Sequence, residues 1–286
     1  MNSIQEIIIY IAKDIMLLIW VLFLFIWISK IYKYNLKEHT LKNKDWNIII
    51  FQEMIHLGLP SFYKNVKEWL ESYKEQGYKI YYEQVWVWEN EKDKELYSQE
   101  LDKIIGMKIG KDSYKNLADI YWLEVQRNDD LLSNVPKDRI INADVSTKEI
   151  ITEYISKFWE DYKSKSPKNK SDLLIKSSEF VKKQSSFIRT SLQSIGKIFL
   201  ISLLKSKPQI DDYMRNKGSK FQEIKEIVLD YRNKIIIDRF IYKDNSLQDS
   251  KIYILYWAAH FEWVLDLLKE KDSSWELISS KETRAL

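Results

Sequence analysis

The chain contains no cysteine, which excludes disulfides, thiolate catalysis and cysteine-ligated zinc or iron–sulfur centres. Turn formers are nearly as scarce, with six glycines and four prolines in 286 residues. An all-β sandwich needs such residues at regular short intervals, so a helix-rich α/β chain is the expectation. Nor does one sign of charge dominate: 45 Lys and Arg stand against 42 Asp and Glu, interspersed along the chain. That pattern is a solvated surface rather than a nucleic-acid footprint, and nucleic acid is not expected as a partner. Histidine occurs only three times, at His39, His56 and His260. The length suits one large domain, or one domain with an appendage, and no repeat of solenoid period is visible.

Long apolar runs are rare as well, with one exception. Ile15 to Ile28 is unbroken, and Ser29, Ile31 and Tyr32 extend it if the Lys30 ammonium reaches out toward lipid headgroups. This gives the roughly 17 to 20 residues that a spanning helix needs. The run is apolar on every face, whereas a helix of a soluble domain keeps a polar stripe. A single-pass anchor over residues 1–34 follows, with membrane lipid as its partner. A cleaved signal peptide fits less well, because no cationic extreme N-terminus and no small-residue cleavage site are present. Lys30, Lys33, Lys37, Lys42 and Lys44 follow the run, and Lys13 alone precedes it, so the positive-inside rule favours a cytoplasmic body, with an extracytoplasmic body as the alternative. Residues 35–45 are polar and read as a tether, with His39 exposed to solvent. The apolar patch Ile198 to Leu204, abutted by Lys197, is too short for another span and reads as core.

The body, residues 46–286, opens with a buried strand over Trp46 to Gln52 that leads to His56. The apolar positions Phe62, Val66, Trp69, Leu70 and Tyr73 share one helical face, and Gly77 stops that helix. Tyr78 to Val85 is a second strand, with Glu83 near its exit; strand, helix and strand form a unit whose strands are parallel. Residues 92–125 read as helical. Ser146 and Glu149 form an S-x-x-E capping box, with Asp144 as a helix-entry residue. Ser164 to Ser171 reads as a loop, and helices are expected over Leu173–Ser206 and Phe221–Tyr242. A last strand, Lys251 to Tyr256, leads to His260 and to a helix whose inner face carries Phe261, Val264, Leu265 and Leu268. Two histidines thus follow strand ends, where α/β proteins gather ligands.

Several segments, in order, resemble the TraB/GumN family, related to Tiki-like and erythromycin-esterase-like proteins. Phe51-Gln52-Glu53-Met54-Ile55-His56-Leu57-Gly58 resembles its first G-x-x-H segment, and Tyr82-Glu83-Gln84-Val85 its strand-ending E-G-V. Leu117-Ala118, Leu123-Glu124-Val125-Gln126 and Asn142-Ala143-Asp144-Val145-Ser146 are similar to its L-A, L-x-x-Q and N-A-D-L-S stretch. Arg232-Asn233 resembles its R-N pair, and Trp257-Ala258-Ala259-His260 its closing G-A-x-H. The resemblance implies a mixed β-sheet flanked by helices, with two related β-His-α halves and a helical middle region. It also implies a site where the histidines meet the glutamate. Glu53, Gln84 and Trp257 stand where the motifs have glycine, and none of them lets a ligand approach the backbone as glycine does.

Two readings of the site stand side by side. In one, His56, Glu83 and His260 hold a divalent metal (Mn, Co or Zn), with Glu53 as a fourth oxygen or general base. Bound water then attacks a carbonyl and Arg232 offsets the developing negative charge. The chain is then an anchored hydrolase of a peptide or another amide or ester. In the other, both histidines are hydrogen-bonded at strand ends and Glu83 pairs with Arg232. The chain is then a non-catalytic, membrane-tethered protein that binds a partner such as a signalling peptide.

Overall fold

The computed structural model describes residues 3–85, 91–105, 107–108, 112–164, 168–169, 171–206, 223, 225–243 and 246–286. The loop expected at 164–171 and the first residues of the helix expected at 221–242 fall partly outside them.

A helix, α1 (Ser3–Ile31), leads into a six-stranded mixed sheet built from β1 (Asn35–Lys42), β2 (Ile48–Met54), β3 (Lys79–Tyr82), β4 (Ile140–Asn142), β5 (Lys251–Trp257) and β6 (Glu276–Arg284). The spatial order is β6-β1-β2-β5-β3-β4. β1 runs antiparallel to both neighbours, whereas β2, β5, β3 and β4 are mutually parallel. β2 and β3, expected parallel, are so, with β5 inserted between them.

Period-two alternation explains the two cores. Ile50, Ile80, Tyr253 and Leu255 face one side, where Phe62, Val66 and Leu70 of α2 (Pro60–Glu75) cover them. Ile49, Phe51, Tyr81, Ile252 and Ile254 face the other. They are covered there by α9 (Phe261–Lys271) and by Ile236, Ile237 and Ile241 of a helical segment, α8 (226–241). Ile252 and Ile254 are fully buried, each contributing about 1.5–3 kcal/mol. Both faces being covered explains why the β2 and β5 sequences read as continuous apolar runs.

α3 (Glu91–Ile105), α4 (Ser113–Tyr121), α5 (Thr147–Ser164), α6 (Ser171–Lys183) and α7 (Ser186–Lys205) are the other long helices among the described residues. The capping box forms as expected: Ser146 N–H donates to Glu149 Oε2 at 2.8 Å, and Glu149 N–H donates to Ser146 Oγ at 3.1 Å. α2 ends before Gly77, whose φ of 87° suits a residue without Cβ.

The N-terminal helix is long and apolar enough over Lys13–Ile31 to cross a membrane. Three expectations are revised. The stretch 35–45 is no tether, because residues 35–42 are a strand paired on both sides. Its Glu38 is buried and accepts hydrogen bonds from the hydroxyls of Tyr73 and Tyr253. His39 is likewise buried rather than solvated: its ring stacks on Phe261 with centroids 3.5 Å apart and bonds Ser280 Oγ at 2.8 Å. Composition misled here, since the polar residues of β1 find partners across strands. The patch Ile198 to Leu204 is core in part: Ile201 is buried and Leu200 and Leu204 pack against the core, while Phe199 and Leu203 are exposed. It belongs to α7, a second helix long and apolar enough for a span by length and composition.

Candidate functional site at the carboxyl edge of the parallel strands

The four parallel strands end on one edge, so the residues just after them are brought together by topology alone. His56 follows β2, Glu83 follows β3, Ala143 and Asp144 follow β4, and His260 follows β5. α8 passes behind this edge and supplies Arg232 and Asn233.

Glu83, Arg232 and Asp144 form a closed ionic network. Arg232 Nη2 donates to Glu83 Oε1 and to Asp144 Oδ2, both at 2.6 Å, and Arg232 Nε donates to Asp144 Oδ1 at 2.9 Å. The second oxygen of Glu83 accepts the Trp257 backbone N–H at 2.6 Å. Asp144 Oδ1 also accepts the Val145 N–H at 2.8 Å. Burial alone would raise the pKa of Glu83; the Arg232 guanidinium, His260 and the Trp257 amide outweigh it and hold the carboxyl well below the usual range. For Arg232 burial opposes the charge, and the two carboxylates more than restore it. The guanidinium fork meeting Asp144 through two parallel bonds is the strongest geometry available to such a pair.

Arg232 and Asn233 are adjacent in sequence, yet both are buried toward the site. They occupy the single α turn Arg232–Ile235, which is flanked by wide π turns at Glu226–Tyr231 and Ile236–Ile241. Such turns are uncommon and recur at functional sites. The Asn233 side-chain oxygen accepts from His260 Nδ1, which turns His260 Nε2 inward. Nε2 is buried without a hydrogen-bond partner, 3.7 Å from Glu83 Oε1. The His260 ring meets the Tyr256 ring edge-on at 5.2 Å, and the Tyr256 hydroxyl donates to the Ala143 carbonyl.

The expected donors are only partly assembled. His260 and Glu83 are neighbours. His56 instead stands at the exposed rim, its ring 5.4 Å from that of Tyr114 and 6.2 Å from that of Trp257. The Trp257 ring is in turn 6.2 Å from the His260 ring. The surrounding protein lowers the His56 pKa, Arg232 and His260 add to that, and Glu83 opposes them. Glu53, expected as a fourth oxygen or a base, is engaged elsewhere: its carboxylate accepts the Lys37 N–H at 2.7 Å and faces His39 Nε2 at 3.3 Å. Arg232 does not stand open to a substrate, because two carboxylates enclose it. Among the described residues no group of three or more His, Asp or Glu side chains is placed to hold a metal ion. A cation at His260 Nε2 and Glu83 Oε1 would have two donors and a guanidinium beside it, which does not fit a divalent metal with three protein ligands.

Sequence reasoning missed the Asp144 clamp and the Asn233 anchor of His260. The adjacent Arg232-Asn233 pair was a usable signal for both, since neighbours about 100° apart on a helix share a broad buried face. Asp144 serves as a buried counterion more than as a helix-entry charge.

No protein-family model matches the chain, and no curated protein or solved structure is significantly similar to it.

Proposed function

We propose that the chain is a membrane-anchored binding or regulatory protein whose carboxyl-edge site captures a peptide segment without cleaving it. The observation that carries this reading is the engagement of both Glu83 oxygens, one by Arg232 and the other by the Trp257 N–H. A carboxylate so held is a structural counterion rather than an open ligand or base. Above it His56, Tyr114 and Trp257 form an aromatic rim, the side-chain class that supplies most contact energy in recognition surfaces. α1 is read as the anchor. Lys30 and Lys33 just beyond its apolar run, against Lys13 before it, place the body in the cytoplasm in this proposal. The resemblance to TraB/GumN proteins, with its two related β-His-α halves, then describes a divergent member whose lost glycines have closed the site.

A specific test uses the full-length chain immobilised in detergent micelles and a random peptide library. Retention of intact peptides, lost in Trp257→Ala and His56→Ala, supports capture. Cleavage of library members by the wild type, abolished in Glu83→Gln, would overturn it.

One observation favours the hydrolase as a second reading. The network Glu83, Asp144 and Arg232 carries one net negative charge, and His260 Nε2 faces it without a hydrogen-bond partner. A cation there would offset that charge.

A further inference from the structure

We propose that the cavity at the foot of α1 binds the phosphate of an anionic phospholipid. The inference rests on reading α1 as a membrane span. The cavity has a volume of about 610 Å³ and lies between the last turn of α1, the end of α4, one face of α7 and the end of β6. That volume is in the range of small-molecule sites.

Charge points to the ligand class. Lys30, Lys197 and Arg284 line the cavity, against the single carboxylate of Glu124. Lys30 and Lys197 make no ion pair with an Asp or Glu side chain among the described residues. Arg284 is held by main-chain oxygens, Nε donating to Leu286 O at 3.1 Å and Nη2 to the Lys30 carbonyl at 3.2 Å, which ties the end of β6 to the end of α1. Thr190 and Gln193 add polar groups, while Ile26, Leu59 and Trp122 make the remaining wall apolar. Clustered cations beside an apolar wall match a headgroup phosphate joined to acyl chains, and a free inorganic anion would leave the apolar wall unused.

Position selects the membrane as the source. The apolar window ends at Ile31, so Lys30 marks the headgroup level, where a cationic side chain is favoured. Trp122 is 69% exposed there, as tryptophan is at membrane interfaces. α7 runs beside α1 in the same direction, with Phe187 5.0 Å from Phe23 and Lys205 Nζ 4.1 Å from the centre of the Tyr32 ring. Its Ile188, Phe199 and Leu203 are exposed. These two helices flank the cavity and give acyl chains an apolar path out of it.

Native mass spectrometry of the full-length chain in micelles containing equal amounts of phosphatidylglycerol and phosphatidylcholine tests the site. Wild type is expected to retain phosphatidylglycerol preferentially. Lys197→Gln and Lys30→Gln should each lower that preference by roughly fivefold, while Lys64→Gln, on the exposed face of α2, should leave it unchanged. Equal retention of the two lipids, or a preference insensitive to both substitutions, would overturn the proposal. Displacement of the lipid by millimolar inorganic phosphate would also overturn it, leaving a simple anion site. Carbonate extraction of membranes separates the two readings: release of the chain ends the anchor reading and this proposal together, whereas a retained chain with no lipid preference ends this proposal alone.

Discussion

Trp257 donates its backbone N–H to Oε2 of Glu83 at 2.6 Å, joining the ends of two neighbouring parallel strands through one charge-assisted bond. In the motif that this segment resembles, a glycine at that position opens the backbone to a ligand. Here the same backbone reaches the site, but its donor is spent on an internal carboxylate. The indole then lies between His56 and His260 in ring contact with both. One residue thus accounts for the separation of the two histidines.

Removing Arg232 should be costly. Arg232→Ala would leave Glu83 and Asp144 buried and uncompensated, a loss of about 3–5 kcal/mol. Arg232→Lys should restore only part of this, because an ammonium cannot form the two parallel bonds to Asp144. Denaturant unfolding of the full-length chain in detergent checks both; a loss below about 1 kcal/mol for the alanine variant would show that the network is not structural.

Acid should weaken the fold. Glu83 has a folded pKa far below its ordinary 4.5. Its contribution is full above 4.5 and declines as pH falls toward the folded value. Melting temperature measured against pH should fall below that point, with the step absent in Glu83→Gln.

His39→Ala should destabilise the chain by about 2 kcal/mol or more, since it removes the stack on Phe261 and leaves the Glu53 carboxylate short of a partner. A solvated tether would show no change. Hydrogen exchange of β1 and β6 amides, which His39 and Ser280 join across the strands, should accelerate in the same variant.

Gly196→Ala sets two effects against each other. Helix propensity alone would stabilise α7 by about 1 kcal/mol. The added Cβ, however, would lie 2.8 Å from Tyr121 Cδ1, and crowding of this kind costs about 1–3 kcal/mol. The net expectation is destabilisation, read as a lower denaturation midpoint, with the Tyr121 ring displaced into the cavity beside α1.

Much of this architecture was legible in residues. The β-branched runs at 48–51 and 252–255, the facial spacing from Phe62 to Tyr73 and the Ser146–Glu149 box each identify an element through local physics, and each is present. Strand ends also located His56, Glu83 and His260 on one sheet edge. Local rules could not show that β1 is a strand, because most partners of its polar side chains, Tyr73 and Tyr253 for Glu38 and Ser280 for His39, are distant in sequence. They could not show the π turns either, which arise from how α8 fits over the sheet rather than from any propensity. The Glu83–Arg232 pair was one of the two readings open in sequence and is present at 2.6 Å, whereas the Asp144 clamp and the Asn233–His260 bond depend on partners 88 and 27 residues apart that no local rule brings together.

The most direct measurement is calorimetric titration of the full-length, detergent-solubilised chain with Zn²⁺ and Mn²⁺, in wild type and in His260→Ala. A closed Glu83–Arg232–Asp144 network should give no stoichiometric metal binding that depends on His260. One-to-one binding in the wild type that disappears in His260→Ala would contradict it and restore the metal-dependent hydrolase.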